Sequence, residues 1–216
     1  MGSEMCIRDS IWTVSLDRGD KANALNTEML SKLCEITGDA HKARALILTA
    51  KGRVFSAGAD LDEVHDGGLA ISPLWEKLSG QIASLPCFTI AALNGTVAGG
   101  AIGMVLACDV RIASSHAKIF YPVMKLGVLP QPSDPVRMRA LIGPARSKML
   151  FMGGQKLTAQ EAYAFGLFDR LCPAEALADV TAELTEHLRA ATTDHAASIK
   201  ALCGTTSAPA KTGTLN

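Results

Sequence analysis

From position 78 to position 108 the chain carries no Asp, Glu, Lys or Arg. An uncharged stretch of that length either spans a bilayer or is buried in a globular core. Gly95, Gly99 and Gly103 even give two overlapping GxxxG spacings, a contact signature of membrane helices. Pro86 and the Asn94-Gly95 turn signal break the stretch and decide for the core. It reads as a helix at 74–85 with polar Ser79, Gln81 and Ser84, then a buried strand at 88–93. A Gly-rich turn follows, entering a small-residue helix at 98–107.

The rest of the chain has the same rhythm. IWTVSL at 11–16 alternates apolar and polar residues as a strand does, and ALILT at 45–49 suits a buried parallel strand. Leu25, Met29, Leu33 and Ile36 have helical spacing over 24–36, with Asn26 and Thr27 as caps. A strand is predicted at 110–113 and helices at 143–154, 158–165 and 179–188. Thr158 and Glu161 supply a capping box for the second of these helices. The polar tail at 207–216 is expected to fray. Strands separated by helices imply an α/β fold with parallel crossovers.

Composition narrows the function. The formal net charge is +0 and only 5% of residues are aromatic, so neither a nucleic-acid field nor a base-stacking platform is expected. The cysteines, Cys6, Cys34, Cys87, Cys108, Cys172 and Cys203, form no CxxC pair and mostly sit in apolar runs. They read as reduced thiols of a cytoplasmic protein without a metal site. Residues 1–10 have no apolar signal region. The string MCIRDS resembles a translated sequencing-library adapter, so 1–10 is expected to be a leader foreign to the natural gene. A core domain is then expected at 11–170, and a shortened C-terminal helical segment with a frayed tail at 171–216.

Two Gly-containing turns each follow a predicted buried strand: FSAGADL at 55–61 and NGTVAGGAIGM at 94–104. Small residues let the backbone approach a ligand, and glycine can turn an N–H outward. Two such N–H groups aimed at one point make an oxyanion hole, and a helix N-terminus behind the second turn adds positive potential. Spacing alone favours two ordinary turns, since neither matches a dinucleotide or phosphate loop.

The wording of these turns goes further. FSAGADL, IAALNGTVAGGAIGMVLACDVRIAS at 90–114, LGVLP at 126–130 and GGQKLTAQEAYAFGLFDRLCP at 153–173 together resemble the enoyl-CoA hydratase/isomerase (crotonase) family. IWTVSLDRGDKANALNTEML at 11–30 resembles that family's opening strand, CoA-contacting loop and first helix. The resemblance implies a crotonase-like spiral of ββα units, with two roughly perpendicular sheets surrounded by helices. It implies an acyl-CoA thioester as ligand, an enolate intermediate, lyase or isomerase chemistry in fatty acid metabolism, and a homotrimer or dimer of trimers if the shortened C-terminal segment suffices for assembly, which is expected to be weak or altered. CoA enters as part of the substrate, and no cofactor or metal is implied. By position, the oxyanion donors are the N–H groups of Ala59 and Gly100, and Asp60, Leu61 and Asp62 match the CoA-contacting turn.

The acid–base positions depart from the family. Its hydratases carry two glutamates where this chain has Gly103 and Val123, and its isomerases an acid where this chain has Gln131. The family's Gly-Ala-Gly-Gly turn is here QPSDP at 131–135, which leaves Asp134 as the loop's one carboxylate. Asp134 serves as general base if burial raises its pKa. A solvated turn residue ahead of Pro135 is the plainer reading and the one expected. Isomerase, hydrolase or atypical lyase chemistry is therefore expected, the alternative being an acyl-CoA-binding homologue without catalysis. The five histidines fall at no catalytic position of the family.

Overall fold

The computed structural model describes residues 2–204, and the tail expected to fray at 207–216 lies outside them. β1 (Ser3–Arg8) and β2 (Ile11–Leu16) form a hairpin whose turn residues, Asp9 and Ser10, both have positive φ. The segment read as a leader is thus an edge strand, antiparallel to β2 and mostly exposed. α1 (Thr27–Asp39) starts where the cap was expected, the Asn26 side chain accepting from Met29 N–H at 2.9 Å.

Three strand pairs then repeat one pattern. β3 (Ala45–Ala50) continues into β4 (Val54–Ser56), followed by α2 (Leu61–Gly67) and α3 (Leu74–Ser84). β5 (Phe88–Leu93) continues into β6 (Thr96–Ala98), then a 3-10 turn at Gly99–Ala101 and α4 (Ile102–Leu106). β7 (Val110–Ser114) continues into β8 (Lys118–Phe120), followed by α5 (Val123–Leu126) and α6 (Ser133–Phe151). The first strand of each pair joins a six-stranded sheet of order β1-β2-β3-β5-β7-β10. The second joins a four-stranded sheet of order β4-β6-β8-β9. Apart from β1 and β9 the pairings are parallel, giving a crotonase-like α/β spiral wrapped by helices. β9 (Leu157–Thr158) leads into α7 (Ala159–Ala164), where Thr158 and Glu161 form the expected capping box. β10 (Arg170–Cys172), α8 (Leu177–Thr185) and α9 (Thr193–Gly204) complete the described chain. β10 spans the boundary expected at 170.

Strand periodicity divides the core. Leu46, Leu48, Ala91 and Leu93 share one side's core with Leu30 and Leu33 of α1 and Leu78 and Ile82 of α3. Ala45, Ile47, Ile90, Ala92 and Ile112 face the other way, toward Leu177 of α8. The uncharged stretch is therefore a core segment: no helix among the described residues is long and apolar enough to cross a membrane. Arg111, on β7 and almost fully buried, is satisfied by the carbonyls of Leu167 and Cys108 and by Asp169.

Two expectations change. The helix predicted at 98–107 begins as a 3-10 turn and has only five α-helical residues, too few for the helix-end potential expected of it. The helix predicted at 143–154 is the second half of α6, which starts at Ser133 and kinks at Gly143, ahead of Pro144. QPSDP is thus not a solvated turn. Pro132 is the helix N-cap and Pro135 lies in the first turn, where a missing N–H leaves no helical bond unmade.

Candidate active site

The first Gly turn is clamped by the segment ahead of α1. Leu25 N–H donates to the Gly58 carbonyl at 2.7 Å, and Asp60 N–H donates to the Leu25 carbonyl at 2.9 Å. This parallel bridge uses the groups on either side of Ala59 and directs Ala59's own N–H away from Leu25. Ser56 Oγ donates to the Asn23 carbonyl at 2.7 Å and accepts from Gly58 N–H at 3.2 Å. Asn23, buried with positive φ, donates in turn to the carbonyls of Lys51 and Val54. Arg18 donates to the Asp60 carboxylate, whose other oxygen accepts from Asp62 N–H and caps α2. The Arg18 hydrogen bond is the main cause that holds the Asp60 carboxyl below its ordinary pKa. Asp60 is thus buried and occupied in holding the turn. Leu61 and Asp62 face outward, Asp62 paired with Lys21 at 3.2 Å.

The second turn lies directly against the first. Gly58 has φ +100°, and a Cβ there would meet the Ala98 carbonyl oxygen at 2.8 Å. Gly99 has φ +55°, and a Cβ on it would stand 3.7 Å from Gly58 Cα. The backbones approach this closely because Gly58 has no Cβ to meet the Ala98 carbonyl, while Gly99 supplies the positive φ of the second turn. Gly100 faces the Trp75 ring, with 3.1–3.3 Å from its missing Cβ to three ring carbons. Trp75 Nε1–H donates to the Leu69 carbonyl at 2.7 Å, which fixes that wall. The turns holding Ala59 and Gly100 are thereby brought together.

One helical turn beyond Gly100, Gly103 faces the Asp134 carboxyl. A Cβ on Gly103 would fall 2.8 Å from Asp134 Oδ1. Asp134 is 0% exposed, which corrects the expectation of a solvated loop residue. Its position in α6, packed against α4, removes it from water. Tyr121 Oη–H donates to Oδ2 at 2.8 Å, while Oδ1 is buried without a hydrogen-bond partner. Burial pushes the carboxyl up from 3.8 to about 7, with a smaller upward effect from the Glu76 charge. The Tyr121 hydrogen bond and the Arg137 charge oppose it. Burial also pushes the Tyr121 phenol up, so it stays a hydrogen-bond donor at neutral pH.

The neighbours are firmly held. Glu76 accepts from Ser133 N–H and Oγ–H at 3.1 and 2.9 Å, and Arg137 donates to Ser133 Oγ at 2.7 Å. Gln131, where the resemblance expects an isomerase acid, donates to the Ala70 carbonyl at 2.9 Å. Val123 is a buried apolar residue. Sequence reasoning missed Tyr121 as the carboxyl's partner. Its place two residues ahead of Val123, where the resemblance expects a glutamate, was the available signal.

A cavity of about 440 Å³ lies between α8 and the large sheet and contains none of these groups. Ile47, Ala92, Leu177 and Thr181 are among its lining residues, which include no carboxylate and no imidazole. Among the described residues no three His, Cys, Asp or Glu side chains gather to hold a metal ion.

The chain is 30% identical over 193 residues to the 1,2-epoxyphenylacetyl-CoA isomerase of Escherichia coli K12, covering 84% of this chain and 74% of that protein. It is 34% identical over 185 residues to the probable enoyl-CoA hydratase echA8 of Mycobacterium tuberculosis, covering 83% and 70%. The crystal structure of an enoyl-CoA hydratase from Bacillus anthracis superposes with a TM-score of 0.86 at 27% identity, covering 94% of this chain and 83% of that one. The family model for enoyl-CoA hydratase/isomerase matches residues 7–215, and the chain belongs to that family.

Proposed function

We propose that the protein binds acyl-CoA thioesters and moves a proton, and with it a carbon–carbon double bond, next to the thioester carbonyl. Asp134 is the acid–base group, and the N–H groups of Ala59 and Gly100 receive the developing oxyanion. The buried Asp134 carboxyl beside Gly103, with one oxygen unpartnered, carries the reading.

The chemistry follows from a single carboxyl that titrates near neutrality. As a carboxylate it takes a proton from the carbon beside the thioester, and the enolate charge collects on the carbonyl oxygen. Each oxyanion donor is worth roughly 2.7–4 kcal/mol to such a charge. As a carboxylic acid it returns the proton two carbons away, so a 3-enoyl thioester becomes a 2-enoyl thioester. No water is consumed, and the carboxyl ends as it began. A group with a pKa of about 7 suits both halves of this cycle. Hydration would need a further group to activate water, and Gly103 and Val123 supply none. Leu61 and Asp62, exposed beside the first turn, form the face offered to the CoA moiety, while Asp60 holds that face in place.

Turnover of a 3-enoyl-CoA panel by the wild type and by Asp134→Asn tests the reading, with binding measured by calorimetry. A loss of about 10²–10⁴-fold in rate with binding retained is expected. Undiminished isomerisation by Asp134→Asn would overturn it. Binding without turnover by the wild type would favour a non-catalytic acyl-CoA-binding protein.

The same reading includes self-association as a homotrimer or dimer of trimers. Met124, Leu126, Val128 and Leu129 form an exposed apolar run through α5 and the segment after it, Leu129 being 88% exposed. Light scattering should show Leu129→Asp shifting the protein toward monomer; an unchanged mass would place the contact elsewhere.

A further inference from the structure

We propose that Tyr121 is the positioning residue of the Asp134 carboxyl. Its hydroxyl reserves Oδ2, and the missing side chain of Gly103 leaves Oδ1 as the atom that exchanges the proton. The inference rests on the acyl-CoA reading for the substrate, but the arrangement of the two oxygens is independent of it.

A buried carboxylate oxygen without a partner is uncommon and calls for a reason. Asp134 has one satisfied and one open oxygen, and the division between them is built in from two directions. Tyr121 follows β8, and its ring packs against Phe151 of α6 with centroids 5.2 Å apart. The phenol is therefore held at both ends, by ring packing and by its 2.8 Å bond to Oδ2. On the other side, any side chain at position 103 would start 2.8 Å from Oδ1 and push the carboxyl off its place. Glycine at 103 keeps Oδ1 clear, and the tyrosine keeps the carboxyl from rotating.

The groups around the carboxyl leave Tyr121 as its direct hydrogen-bond partner. α3 contributes Glu76, whose carboxylate is engaged by Ser133. α6 contributes Arg137, which donates to Ser133 Oγ and to the Ser79 carbonyl. α4, with the sequence IGMVL, contributes no charge. The β8–α5 connection contributes Tyr121 itself. A hydrogen bond to the ionised form stabilises that form, so removing the phenol hydroxyl drives the carboxyl toward its protonated state. Tyr121 remains protonated throughout and is no proton donor to substrate.

The test measures the Asp134 carboxyl directly and activity separately. Infrared difference spectra against Asp134→Asn give the titration midpoint in the substrate-free protein. In Tyr121→Phe this midpoint should rise by about one to two pH units, the worth of a hydrogen bond to a charged group. The acid limb of the isomerisation rate should rise with it. Should Tyr121→Phe fail to fold, fluorotyrosine incorporation keeps the test open, because the chain has only two tyrosines and Tyr163 is exposed. The more acidic phenol is a stronger donor, so the midpoint should fall instead. Gly103→Ala should lower kcat by about tenfold or more with KM nearly unchanged, since it displaces the reacting oxygen rather than the bound thioester. A midpoint that moves in neither tyrosine variant overturns the proposal, whatever the activity. Full activity in Asp134→Asn with the midpoint shifts intact would instead overturn the assigned reaction and leave the Tyr121 contact standing.

Discussion

The Asp134 carboxyl stands where a side chain on Gly103 would begin: a Cβ there falls 2.8 Å from Oδ1. A side chain at 103 is seated only if the carboxyl shifts, and the Tyr121 hydrogen bond and the packing of α4 on α6 oppose that shift.

Placing glutamates at 103 and 123, where the family resemblance expects them, should therefore fail unless Asp134 is removed. Crotonyl-CoA hydration by the wild type is expected to be about 10²–10⁴-fold below that of a two-glutamate hydratase. The double change Gly103→Glu, Val123→Glu should add no hydration, because the new side chain meets Oδ1. Adding Asp134→Gly should yield measurable hydration, followed by loss of the enoyl thioester absorbance. Strong hydration in the double variant with Asp134 intact would show that the carboxyl can swing aside.

Asp134 should cost the fold stability at alkaline pH. Its folded-state value of about 7 lies above its ordinary 3.8, so between these the folded protein keeps a proton that the unfolded chain has released. Stability should fall as pH rises from about 4 to about 7 and then level off. Asp134→Asn removes this dependence and should be the more stable protein at pH 8, by on the order of 2–4 kcal/mol, converging with wild type near pH 4. Denaturant melts at the two pH values measure it. A variant less stable at pH 8 would contradict the buried charge.

Gly100→Pro removes the N–H proposed as an oxyanion donor, and it also presses on Trp75, whose ring lies 3.1–3.3 Å from the missing Cβ. Gly100→Ala applies the same pressure but keeps the N–H. The proline variant should lose about 10²–10³-fold in kcat/KM and the alanine variant less than tenfold. Equal losses would assign the effect to Trp75 packing.

Thiol reactivity should follow burial. Cys6 and Cys203 are exposed, whereas Cys34, Cys87, Cys108 and Cys172 are buried. Burial pushes Cys87 up to about 11 and Cys108 up to about 12, and raises Cys34 and Cys172 as well. A thiol reagent at neutral pH should titrate two groups quickly and the other four only on unfolding. Fast reaction of more than two would signal opening of the core around Cys87 and Cys108.

Local chemistry determined much of the frame from the sequence alone. The uncharged, largely apolar runs at 45–49 and 88–93 point to buried strands because neither alternates to offer a solvent face. Asn26 and the Thr158–Glu161 box set helix starts through bonds within a few residues. The ordered wording of the two Gly turns carried the family. Tertiary structure alone decided what lies between. β4, β6 and β8 are three residues each, too short for a period, and they exist because each finds a neighbour in the small sheet. Asp134 looked like a solvated turn residue because its own neighbours are Ser and Pro. Its burial and raised pKa come from α4, where Gly103 makes room, and from Tyr121 beyond β8. A pKa depends on what surrounds a group in space, and only the fold brings those three elements together.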